Sequence, residues 1–146
     1  MVTFQEAVQL FFKRYTDFKG RSRRSEYWWV QLFNFIVVLI PVILMLAIGG
    51  ITEGEPNPIG IALIAVIGLY VLAIIIPGIA LGVRRFHDLD QTGWLVLVFA
   101  VVGQIPLVGL LASIGQIVWF CFPGTVGPNK YGPDPKQGNI VPDTFS

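Results

Sequence analysis

Two long uncharged runs decide what this chain can become. No Asp, Glu, Lys or Arg interrupts the 22 residues from Tyr27 to Ile48, or the 25 from Ile59 to Val83. As a helix rising 1.5 Å per residue, each is long enough to cross a hydrocarbon core of about 30 Å. Inside lipid every backbone N–H and C=O has to be satisfied within the segment, which makes helix the structure for such runs. Charge is scarce throughout, at 13% of residues against 54% hydrophobic, where a soluble domain carries about 25%. The expectation is an all-α polytopic membrane helical bundle. At 146 residues it is a single integral domain, with no room for a sizeable soluble one.

The net charge of +1 points to no partner, but its distribution is informative. Six of the ten Lys and Arg residues precede the first span: Lys13, Arg14, Lys19, Arg21, Arg23 and Arg24. The first connecting loop, Gly49 to Pro58, holds only Glu53 and Glu55. The basic run leads directly into Tyr27, Trp28 and Trp29. Cations beside an aromatic belt mark the cytoplasmic edge of a span. Arg84 and Arg85 follow the second span, so they return to that same side. The N-terminus is therefore expected in the cytoplasm of a multi-pass inner-membrane protein. A nucleic-acid patch is disfavoured, since such a stripe belongs on a soluble basic domain. A cleavable signal peptide is not expected, because the first 25 residues lack an apolar core followed by a small-residue cleavage site.

The remaining segments read less simply. Thr3 and Glu6 have capping-box spacing, and Phe4, Val8, Phe11 and Tyr15 share a helical face. Residues 3–25 are thus expected to form an interfacial helix followed by a basic segment. Gln31 and Asn34, three apart, should face other helices, as should Gly78 and Gly82 at GxxxG spacing. Pro41 is expected to kink the first span. The apolar stretch 94–122 is too long for one upright span and is broken by Gly103, Gln104, Pro106 and Gly109. It predicts a short helical hairpin with Pro106 in the first turn of its second helix, and a C-terminus returned to the cytoplasm. The alternative is one kinked helix, making three spans. Residues 123–146 are rich in Gly and Pro and read by composition as a loop or flexible tail. Cys121 reads as a packed small hydrophobe.

The polar residues gather between the second span and the hairpin, in LGVRRFHDLDQTGW from Leu81 to Trp94. His87, Asp88 and the two arginines there invite a catalytic reading, but no nucleophile motif accompanies the single histidine and no second histidine offers a metal site. The chain is therefore not expected to be an enzyme, and no cofactor is expected. Structurally, the arginines would orient the protein, with Asp88 or Asp90 accepting their hydrogen bonds. Alternatively Arg21, Arg23, Arg24, Arg84 and Arg85 would bind anionic lipid head groups through bidentate guanidinium contacts. Replacing Arg84 and Arg85 with Gln would then lower lipid retention. The spans carry no charge of the kind that lines a transport pathway, so a transporter or channel component ranks below both.

Three blocks carry a resemblance: FKGRSRRSEYWW (Phe18 to Trp29), RRFHDLDQTGW (Arg84 to Trp94) and PGTVGPNKYGPDP (Pro123 to Pro135). In that order they resemble the domain-of-unknown-function 805 family, small bacterial inner-membrane proteins of the YhaH/YhaI-like type. The chain departs in a longer loop and span around residues 49–70, and in a single Trp94 where the family often has two aromatics. The resemblance implies an integral membrane protein without an established activity, and a structured element from Gly127 to Pro135. The candidate cluster for lipid binding or structure comprises Arg21, Arg23, Arg24, Glu26, Arg84, Arg85, His87, Asp88, Trp94, Asn129 and Tyr131. Expected partners are membrane lipids and a membrane protein, or further copies of the chain.

Overall fold

The computed structural model describes residues 2–47 and 57–136. The loop with Glu53 and Glu55, and the tail beyond residue 136, lie outside the described residues. Five helices follow in order: α1 (Phe4–Lys13), α2 (Arg24–Ala47), α3 (Pro58–Asp88), α4 (Leu95–Val102) and α5 (Val108–Cys121). Among the described residues there is no strand, only an isolated bridge between Asn129 and Gly132.

Helix α1 begins where its capping box places it. Thr3 accepts from the Glu6 N–H at 3.3 Å, while the Glu6 carboxylate accepts from the Thr3 N–H at 2.8 Å. Ala7 and Phe11 are fully buried and form the core with Val30 of α2 and Leu81 of α3. The Tyr15 hydroxyl donates to the Ala73 carbonyl. Helix α1 is thus docked on both long helices, not lying alone in the interface. Its aromatic face is divided, with Phe4 and Phe12 left half-exposed against Trp29 and Phe33.

Helices α2 and α3 are long and apolar enough to span a membrane, and little of their surface is buried within the molecule. Phe35 is 61% exposed and Leu69 68%, as suits faces that meet hydrocarbon or another apolar surface. The helices pack through polar groups as well: the Tyr70 hydroxyl donates to Asn34 Oδ1 at 2.7 Å. The GxxxG pair is only half used. A Cβ at Gly82 would meet Val96 of α4 at 3.1 Å, whereas one at Gly78 would meet nothing. Pro41 lies inside a helix that continues past it.

Helix α3 runs 31 residues, about 46 Å, longer than a hydrocarbon core of about 30 Å. Arg84, Arg85, His87 and Asp88 sit on those turns and not in a loop; the connection to α4 is Leu89–Trp94, with Asp90 at φ 58. The stretch 94–122 is two helices of 8 and 14 residues, roughly 12 and 21 Å long. Leu107 turns the chain at φ 64, so Pro106 precedes α5 and does not occupy its first turn. Gly109 lies so close to the Gly103 backbone that a Cβ would collide with it. Cys121, read from sequence as packed, is exposed at the end of α5.

Candidate functional site

The end of α3 gathers the buried charge of the molecule. Arg84 and Arg85 are fully buried, with Arg21, Ser22, Glu26 and Asp88 each 5% exposed or less. Consecutive residues on a helix point about 100° apart, and these two arginines use that divergence. Arg84 reaches the C-terminal end of α1, donating through Nη1 to the carbonyls of Arg14 (3.2 Å) and Asp17. Arg85 reaches the C-terminal end of α5, donating through Nη2 to the carbonyls of Phe120 (2.8 Å) and Phe122 (2.5 Å). The last carbonyls of a helix lack partners within it and carry the negative end of its dipole. Each guanidinium therefore caps a neighbouring helix, and the ends of α1, α3 and α5 are tied at one place.

The carboxylates complete the ties. Asp88 accepts from Arg85 Nη1 at 2.6 Å and from Arg21 Nε at 3.0 Å. Ser22 donates to Glu26 at 2.9 Å and accepts from Arg84 Nε at 3.0 Å, while its N–H donates to the Arg84 carbonyl at 3.1 Å. Arg84 Nη2 lies 3.8 Å from Glu26. Three buried cations thus face two buried carboxylates, and the helix-end carbonyls supply the remaining negative potential. Breaking one partner of such a network leaves an uncompensated charge in a dry place.

The Gly/Pro-rich tail is built onto this hub as far as residue 136, so the flexible reading from composition is corrected over that length. Arg21 donates to the carbonyls of Thr125 (2.5 Å) and Gly127 (2.7 Å). Arg23 donates to that of Pro135. The Thr125 N–H reaches the Asp88 carbonyl at 2.8 Å, and Asn129 Nδ2 the His87 carbonyl at 2.9 Å. Within the tail, Asp134 accepts from the N–H groups of Lys136 (2.8 Å) and Gly127 (3.0 Å). Those two bonds hold its carboxyl below the usual range. Tyr131 lies parallel on His87, ring centroids 3.8 Å apart, and His87 Nδ1 bonds the Gly20 carbonyl at 3.1 Å.

The structure therefore brings together Arg21, Arg23, Glu26, Arg84, Arg85, His87, Asp88, Asn129 and Tyr131. Arg24 is exposed on the first turn of α2, and Trp94 is 72% exposed at the start of α4. Arg21, Arg84 and Arg85 are buried and make their hydrogen bonds within the molecule. Sequence reasoning missed Ser22, Thr125, Asp134 and Gly124. A Cβ on Gly124 would overlap the Asp88 carboxylate. No spacing announces that glycine, because its partner lies 36 residues away. Phe86 was missed as well; it is fully buried and packs against Phe99, Trp119 and Phe120, joining α3 to the hairpin beneath the charges.

Known proteins match nearly this whole frame. Inner membrane protein YhaI of Escherichia coli (strain K12) is 39% identical over 128 residues, covering 87% of this chain and 92% of the relative. Inner membrane protein YhaH of the same organism is 36% identical over 124 residues, covering 85% and 91%. No solved structure matches. The family described as protein of unknown function (DUF805) matches residues 15–133, which runs from the end of α1 through the hub and most of the tail built onto it. With its apolar helices and these inner-membrane relatives, the chain is a membrane protein and belongs to that family.

Proposed function

We propose that this chain is a structural or interaction protein of the bacterial inner membrane, multi-pass, with its N-terminus, arginine hub and tail in the cytoplasm. The observation that carries the reading is the inward use of the hub. Arg21, Arg84 and Arg85 spend their hydrogen bonds on the chain's own carbonyls and carboxylates. Such a hub fixes helix ends and presents a shaped face at that end of the bundle. The apolar faces of α3 and α5, with Leu69 68% and Leu110 61% exposed, are available to lipid and to another membrane protein or a second copy. A photo-crosslinking residue at Leu69 or Leu110 in native membranes is expected to yield a discrete protein adduct. Lipid adducts alone, with a monomer in native mass spectrometry, would sink the reading.

A second reading, retention of anionic lipid, is supported by Lys13 and Arg24, both exposed near the bases of α1 and α2. A cleft of about 510 Å³ is lined by Lys13 with Arg14, Arg21 and Arg23, four cations against the carboxylates of Glu6 and Glu26. Lys13→Gln with Arg24→Gln is expected to lower co-purified anionic lipid while the protein stays folded. Unchanged lipid content counts against it.

A further inference from the structure

We propose that the cleft between the end of α3 and the start of α4 is a binding site for a membrane-borne amphiphile, with a slim or ring-shaped apolar body and one hydroxyl or N–H donor received by His87. The site shares His87 and Tyr131 with the edge of the hub but is lined by none of its arginines or carboxylates, so the proposal does not rest on the function argued above.

The cleft encloses about 400 Å³, within the range of small-ligand sites. Ile79, Val83 and His87 are four residues apart and form one of its walls. That wall runs about 12 Å along the axis of α3, from apolar residues of the span to a polar group at its end. Trp94 and Phe18, 72% and 41% exposed, and Tyr131 supply aromatic surface on the other sides. Aromatic rings at a cleft that straddles the span's end suit an occupant that is apolar along its length and polar at one tip.

The chemistry of that tip follows from the histidine. A carbonyl only accepts, so the Nδ1···Gly20 contact of 3.1 Å puts the proton of the neutral ring on Nδ1 and leaves Nε2 an acceptor. The Tyr131 ring, stacked 6° from parallel, fixes the ring plane. Among the described residues nothing donates to Nε2. Nε2 lies close to Gly93, where a Cβ would stand 2.9 Å from the nitrogen and 2.6 Å from Val83 Cγ1, and His87, Val83 and Gly93 all line the cleft. The occupant therefore brings a donor to Nε2; an acceptor there would be repelled.

His87 is the only histidine of the chain, so the full protein labelled with ¹⁵N-histidine in lipid nanodiscs gives one pair of imidazole signals. At pH 8, where the ring is neutral, 1-naphthol serves as the probe and 1-methoxynaphthalene as the same body without a donor. Naphthol is expected to move the Nε2 signal saturably and to leave Nδ1 in place. The methoxy probe is expected to bind about fivefold more weakly, the worth of one net hydrogen bond. Leu97→Trp, which adds bulk on an exposed wall, is expected to abolish the shift, with the unchanged Nδ1 signal reporting that the fold is intact. Equal affinity for the two probes, or a shift that survives Leu97→Trp, would overturn the proposal. So would binding in detergent that vanishes in nanodiscs, which would mean that acyl chains simply fill the cleft.

Discussion

Asp88 holds two cations with one carboxylate, and its own carbonyl receives the Thr125 N–H. It is 2% exposed, so water does not replace what a substitution removes. Asp88→Asn keeps the shape and deletes the charge. Removing one partner of a buried ion pair costs about 3–5 kcal/mol, and that loss is the expected outcome in unfolding by SDS titration in mixed micelles. A change near zero would mean that the arginines are satisfied by helix-end carbonyls alone. Asp134 acts at the same scale but through pH. Its folded carboxyl lies below the ordinary range because of the Lys136 and Gly127 N–H groups. Its contribution is therefore complete above that range and is lost as pH falls through the depressed value. Hydrogen exchange of the Gly127 amide, corrected for its intrinsic pH dependence, is expected to accelerate on acidification. In Asp134→Asn that acid step should shrink, with faster exchange already at neutral pH.

Between helices, packing is decided by which small residues meet a neighbour. Gly82 faces Val96 closely, a Cβ there standing 3.1 Å from its Cγ2, while Gly78, one turn earlier, faces open space. Gly82→Leu is expected to destabilise by about 1–3 kcal/mol through overpacking, and Gly78→Leu by less than about 0.5 kcal/mol, both read in the same micellar titration. Equal costs would remove the α3–α4 contact from the account. The pair also shows what sequence conveys at this scale. The spans were legible because length and absence of charge suffice to make a membrane helix. The α1 start was legible because Thr3 and Glu6 act on each other three residues apart. The motif spacing of Gly78 and Gly82 was legible too, but not which glycine has a neighbour, since that depends on where α4 returns. Arg84 and Arg85 follow the same logic. Adjacent cations after a span look like orientation markers, and nothing local reveals that one caps α1 and the other α5. The Gly/Pro-rich tail misled for a related reason: its order comes from Arg21 and Asp88, far from it in the chain.

For the whole molecule, the ties impose a constraint on threading. Arg84 binds the end of α1, Arg21 binds the tail at Thr125 and Gly127, and Arg85 binds the end of α5. The N-terminal segment, the end of α3 and the start of the tail therefore share one end of the bundle. If α2 and α3 each cross once, as proposed, α1 and the end of α3 lie on one side. The hairpin of α4 and α5 would then leave and return to that side, which agrees with their lengths being too short for upright crossings. The basic residues clustered there support the proposed cytoplasmic placement of that side under the positive-inside rule. In a Cys121→Ser background, which removes the single native thiol, Gln5→Cys and Lys130→Cys put reporters on exposed positions of α1 and the tail. A membrane-impermeant maleimide is expected to label both in inside-out vesicles and neither in intact cells. Labelling of both from outside would invert the orientation and leave the hub intact. Labelling of one from each side would break the tie between Arg21 and the tail, because no side chain holds a bond across a bilayer.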